Sequence, residues 1–418
     1  MFDQAYRQRL EADLARWEAD GVITPGVLAA IRGALPPLAP GINITVVVAI
    51  VGGLLIAAAF LAFVAAHWTE LARLLRFAIL AAGIVGANGL AAWLARAGRT
   101  VLADLCASVG SIIFGAGVVL VGQMYHLGED FAGGMLLWAG GALASAVLTG
   151  SRGALAVALA AGSMWSAMRV FDTHDLPHLP FVALWLIAAG LALTWNSRVA
   201  SHLVALSALP WWIAAALQTN LDDLPASFVL ADGAALLFGG GLALAAAPWQ
   251  RALCVGAVLS TYGAFSLAGV AILEVITTYL FRLHAGIASQ PLWAISCGVA
   301  GAIFAFAAAA TTPRVALAFA GSAIGLVLIA TTPPQAGEPW LAYTVELCAM
   351  LCLVVSGMLD AARPRIVAGW LGLAGVIAAI TWAVNGSLLH RSAFLAVAGA
   401  VAVALATVLN RLLPRTNE

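Results

Sequence analysis

Lysine is missing altogether from these 418 residues, and charge of either sign is scarce. Only 9% of the residues are charged, against 63% that are hydrophobic. A soluble domain carries roughly 25% charged and 45–50% apolar residues, so too little charge is present to coat a water-facing surface. A mean hydropathy of +1.02 excludes a soluble globular protein on the same ground. Nineteen arginines balance nineteen acids to a net charge of zero, and without a basic field nucleic acid is excluded as a partner. Cysteine is sparse as well. Cys106, Cys254, Cys297, Cys348 and Cys352 are odd in number, scattered through apolar runs and without CxxC or Cys/His spacing. That excludes a disulfide framework and a zinc site of that kind, and leaves small buried hydrophobes. No nucleotide-binding P-loop is present, so transport driven by an ATP site of this chain is excluded, and no cofactor is expected.

What is present is a succession of apolar runs. A bilayer core of about 30 Å takes about 20 apolar residues per helix. Qualifying runs occupy residues 46–66, 74–95, 101–121, 134–148, 153–170, 181–194 and 199–217. Others follow at 228–247, 252–273, 292–310, 315–330, 341–359, 366–383 and 393–412. The expected fold is an all-α, polytopic transmembrane helix bundle of about 14 spans, in which the fourth, sixth and eleventh are short. The first run is longer than the apolar region of a cleaved signal and is expected to stay in the bilayer.

The arginines divide by side. Fourteen, among them Arg96, Arg99, Arg152, Arg198, Arg251, Arg314, Arg363 and Arg365, fall on the side of the amino terminus. Five, Arg73, Arg76, Arg169, Arg282 and Arg391, fall opposite. This positive-inside pattern predicts cytoplasmic amino and carboxyl termini. Trp68, Trp93, Trp195, Trp249, Trp293, Trp340 and Trp382 stand near predicted span ends, where an interfacial belt belongs.

Residues 1–44 differ from the rest. Tyr6, Leu10, Leu14 and Trp17 make one helical stripe, Gly21 is a natural C-cap, and a second helix is expected to start at Thr24-Pro25 and stop at Pro36-Pro37. The result is a short cytoplasmic helical hairpin, either a passive cap on the bundle or a docking module for a cytoplasmic protein partner. Residues 45–150 then carry the first four spans and residues 151–413 the remaining ten.

Carboxylates and imidazoles gather on the face opposite the arginines. The connection "VGQMYHLGED" supplies Gln123, Tyr125, His126, Glu129 and Asp130; "AHWTEL" supplies His67 and Glu70. Further connections add Asp172, His174, Asp175, His178, Asp222, Asp223, Glu274, His284 and Glu338, and of seven histidines only His202 falls on the arginine side. "HWTE" and "HLGE" share the pattern H-x-x-E, which puts imidazole and carboxylate on one helical face. Such a pair binds a divalent metal, with His67, His126 and Glu129 as candidate ligands, or relays protons or contacts a polar substrate, or merely hydrogen-bonds at the interface. Asp130 and His174 could complete the site.

The third run carries Asp104, Ser108, Ser111, Gly115 and Gly122 at near-helical spacing. The stripe reads as close helix packing or as the lining of a cavity open to the outer face. Asp104 lies in the first turn, within reach of Arg96 or Arg99, and suits the helix dipole there. Glu346 is a further cavity-lining candidate, placed near enough to the outer interface to reach water. Pro210 is expected to kink its helix, Gly239-Gly240-Gly241 to allow close packing or a break, and residues 274–284 to form a short helix lying in the interface.

Trp17, Gly21 and Ile23 in the pattern W-x3-G-x-I, "AHW" at 66–68 and "GQMYHLGED" together resemble the bacterial family of predicted membrane proteins catalogued as domain of unknown function 2157. The resemblance covers roughly the first 150 residues. It implies a bacterial inner-membrane location, marks the two outer motifs as the family's hallmark and implies no activity. The preferred reading is a permease-like transporter with an outward-facing polar site. The alternatives are a non-catalytic membrane scaffold or sensor, and an outer-face membrane enzyme acting on a lipid-linked substrate; an enzyme is the less favoured class. The bilayer itself is the expected partner.

Overall fold

The computed structural model describes residues 2–34, 72–125, 130–173, 177–220, 226–280, 292–308, 314–331 and 339–383, with scattered positions of the first apolar run. Two helices belong to the amino-terminal hairpin, α1 (Phe2–Ala19) and α2 (Pro25–Ala34). Gly21 turns the chain between them at φ 71°, and Leu14 and Leu28 are its buried residues. The bundle follows as α3 (Arg73–Arg96), α4 (Thr100–Tyr125), α5 (Phe131–Thr149), α6 (Arg152–Thr173), α7 (Leu179–Trp195) and α8 (Arg198–Asn220). It continues with α9 (Ala226–Ala246), α10 (Gln250–Leu280), α11 (Leu292–Ala307), α12 (Arg314–Ala330), α13 (Pro339–Leu359) and α14 (Arg363–Ala383). The fold is all-helical over the described residues.

Helices α3 to α14 coincide with the second to thirteenth predicted runs. Nine are long and apolar enough to cross a bilayer, and α7, α11 and α12 are apolar but shorter, at 17, 16 and 17 residues. The last predicted run and all but scattered positions of the first lie outside the described residues. Lipid is the environment the surface calls for: Leu74, Leu148 and Leu292 are at least 80% exposed, and Trp93, Trp249, Trp340 and Trp382 stand exposed at helix ends.

Five helix pairs are joined by turns of two or three residues, α3–α4, α5–α6, α7–α8, α9–α10 and α13–α14. Four of these turns use a left-handed residue: Gly98, Gly150, Asn196 and Ala361. Glycine and asparagine enter that conformation readily. Ala361 does not, and Arg365 braces its turn by donating to Asp360 Oδ2 (2.7 Å) and to the Ser356 carbonyl (3.3 Å). All five turns fall at one end of the bundle, beside Arg96, Arg99, Arg152, Arg198, Arg251, Arg363 and Arg365.

Small residues set the spacing. A methyl group at Gly239 would collide with the Gly301 carbonyl of α11, and one at Gly241 with the Ser260 amide of α10. Gly256 and Gly263 of α10 press equally close on Ala245 and Phe238. Lipid offers no hydrophobic drive to associate, so backbone approach and van der Waals contact hold such helices together. The glycine triplet is therefore a packing surface, and α9 runs through it unbroken; α8 likewise stays helical through Pro210.

One expected element is corrected. No separate interfacial helix begins at Glu274, because α10 continues to Leu280 as a helix of 31 residues. Glu274 and Val275 are 6% and 2% exposed, so packing against the bundle draws this segment inward. At about 1.5 Å per residue α10 spans roughly 46 Å, more than a hydrocarbon core requires.

Candidate functional site

A groove of about 860 Å³ runs between α3, α4 and α5. Its walls are Phe77, Leu80 and Ile84 from α3, Val118 and Gly122 from α4, and Phe131, Met135 and Trp138 from α5. Glycines make the space. Trp138 lies where a side chain at Gly115 would be, held there by donating from Nε1 to the Ser111 carbonyl at 2.9 Å. At Gly122 nothing stands within 4 Å of a Cβ position, so that stretch of α4 stays open. Behind the groove, Ser145 Oγ of α5 donates to Asn88 Oδ1 of α3 at 2.7 Å, tying the two walls together.

Of the predicted polar cluster, Gln123 near the end of α4 and Asp130 just before α5 both line this groove, and their end of it is called its mouth. Asp130 caps α5, accepting from the Gly133 amide at 2.8 Å, and pairs with Arg169 of α6 at 3.2 Å. Tyr125 is the last residue of α4. His67, Glu70, His126 and Glu129 lie outside the described residues, as does His174. Among the described residues no group of three His, Cys, Asp or Glu side chains is placed to hold a metal ion.

The stripe on α4 divides in two. Ser108 and Ser111 turn back to the carbonyls of Asp104 and Ala107 and sit in helix packing, while Gly115 and Gly122 line the groove. Asp104 does not turn to Arg96 or Arg99. It accepts from Ser151 Oγ and from the Gly153 amide (3.0 Å), and so caps the start of α6. His178, expected in a polar loop, is 6% exposed: it shares a 2.9 Å hydrogen bond with Ser166 Oγ and meets the Trp165 ring edge-on at 4.6 Å.

Glu346 departs furthest from expectation. It does not reach water; it is wholly buried, and neither carboxylate oxygen has a hydrogen-bond partner. The face of α13 that carries Glu346 is turned inward onto neighbouring helices, while Thr344 and Cys348 at the same level stay exposed. Two further acids inside helices were missed as a set. Asp232 of α9 is 6% exposed and presses on Gly298 of α11; Glu274 of α10 is buried to the same degree. The signal was there: "VLADGAA" and "AILEVIT" each hold one acid in an apolar run.

Residues 15–155 match the family model described as "Predicted membrane protein (DUF2157)". No curated protein and no solved structure matches the chain. The DUF2157 match takes in α2 through α5, so every wall of the groove lies within it, and the buried acids Asp232, Glu274 and Glu346 lie beyond it. With its succession of apolar helices, the chain is an integral membrane protein.

Proposed function

We propose that this chain is a permease-like transporter of the bacterial inner membrane, with both termini in the cytoplasm and its polar site facing outward. The observation that carries the reading is the groove: apolar along α3, α4 and α5, and polar only at the Gln123–Asp130 mouth. An apolar tail moves between lipid and such a groove at little cost, since lipid tails are as apolar as leucine. Selectivity then rests on the polar head, which meets Gln123 and the Asp130–Arg169 pair. The cargo that suits these walls is an amphiphile entering sideways from the bilayer, not a free ion. Orientation follows from the arginines beside the five short turns.

The test uses the full chain in vesicles holding a fluorescent phospholipid. Quencher added outside should reach more of the label than the outer-leaflet share when the protein is present. Gly122 lines the groove with open space at its Cβ position, so Gly122→Leu takes up groove volume and should slow exchange roughly tenfold. Exchange equal to that of protein-free vesicles would leave a scaffold or sensor.

A further inference from the structure

We infer that Glu346 of α13 and Glu274 of α10 form a proton-binding site within the bundle. The site belongs to the second half of the chain and stands whether or not the groove carries a lipid.

Helix α14 brings the two acids together. A methyl group at Gly372 would collide with Met350 Sδ of α13 and lie 2.9 Å from Ala268 Cβ of α10. One turn on, Gly375 presses on Ile272 of α10. Glu346 is one turn from Met350 along α13, and Glu274 two residues from Ile272 along α10, both toward the same end. α10 and α13 also touch one another. Around them the packing is apolar: Met350, Val275, Val376 and Ile380 are at most 2% exposed.

Among the described residues, no arginine or histidine of α12, α13 or α14 stands at the level of Glu346; of the helices packed on α10, α9 adds Asp232 and α8 adds Arg198 and His202 near its start, and α10 itself carries Cys254 near its own start. The only ionisable side chain of α12 is Arg314 at its first residue, and α14 has only Arg363 and Arg365, at its opposite end. α13 itself contributes Tyr343, Cys348 and Cys352, and α10 adds Tyr262, Tyr279 and, at its start, Arg251. A hard metal ion needs about six oxygen ligands, and no described group of three or more acidic, histidine or cysteine side chains supplies a start. A proton needs only the two carboxyls. It removes a bare charge from an apolar setting and turns Glu346 into a hydrogen-bond donor, which supplies the partner its oxygens lack. Glu346 lies on no water-filled surface, so loading and release of that proton require α10, α13 and α14 to shift against one another.

Dicyclohexylcarbodiimide reacts with protonated carboxyls in apolar surroundings and reads the site without any transport assay. The full chain in lipid vesicles is treated across a pH series, and the modified residue is found by peptide mass spectrometry. Label is expected on Glu346, with exposed Asp13 and Glu18 unlabelled, and with a loss that follows rising pH. Glu274→Gln should move the midpoint of that loss, while Asp360→Asn, at the opposite end of α13, should leave it in place. The thermal melt of each variant confirms that it is folded, and the wild-type pH series needs no variant. Absence of label on Glu346 at every pH, a midpoint indifferent to Glu274→Gln, or protection by sodium ions at constant pH would each overturn the assignment.

Discussion

Glutamate at position 346, when ionised, is expected to weaken the bundle. A buried acceptor with no partner costs about 1–3 kcal/mol, and an apolar side chain of similar volume removes that cost. Glu346→Met is therefore expected to raise the melting temperature in detergent at a pH above the midpoint of carbodiimide labelling, while abolishing labelling at that site. A melt unchanged or lowered would mean the carboxyl is satisfied. The two capping acids separate in the other direction. Asp104 holds both Ser151 and the Gly153 amide, and Asp104→Ala should cost about 1–2 kcal/mol. Asp130→Ala loses one capping bond and an exposed ion pair with Arg169, worth about 1 kcal/mol together, and only the ion-pair share should fade with added salt. Thermal melts at low and high salt distinguish them.

Between elements, glycine decides which helices touch. Gly241→Val would drive a branched side chain into the Ser260 backbone, and Gly256→Val into that of Ala245. Each is expected to cost about 1–3 kcal/mol or prevent folding, read as loss of the monodisperse peak in size-exclusion chromatography. Gly269→Ala points into open space and should stabilise by about 0.5–1 kcal/mol through helix propensity alone. The turn between α13 and α14 gives a complementary case. Ala361 sits at φ 52°, and Ala361→Gly should raise stability by about 1 kcal/mol. No change in melting would mean the Arg365 brace already holds the turn at no cost.

At the scale of the whole molecule, the fold has two distinct ends. One gathers the tight turns and most of the arginines described in the bundle, the other Gln123, Asp130 and its Arg169 partner. Ala97→Cys and Asp172→Cys place exposed thiols at these opposite ends. In intact cells, a charged thiol reagent should reach Asp172→Cys from outside and Ala97→Cys only after lysis. The reverse pattern would turn the proposed transporter inside out, and labelling of both from one side would break the alternation of the helices.

The places of α3 to α14 were legible in the chain because a bilayer demands a minimum length of apolar residues, and hydropathy measures that length directly. The turns before α6, α8 and α14 could be placed by Arg152, Arg198, Arg363 and Arg365, and the hairpin by Gly21 and Pro25. What could not be read is which faces meet. Hydropathy averages a single acid into its run, so Glu346 looked near water and Glu274 looked interfacial, while neighbouring helices bury both. Ser108, Ser111, Gly115 and Gly122 share one stripe on α4, yet Trp138 and Gly153 from other helices divide it into packing and groove. Local sequence determines that a segment is a membrane-length helix; the close approach of distant helices, set by glycine contacts far apart along the chain, decides which of its polar groups are left without water.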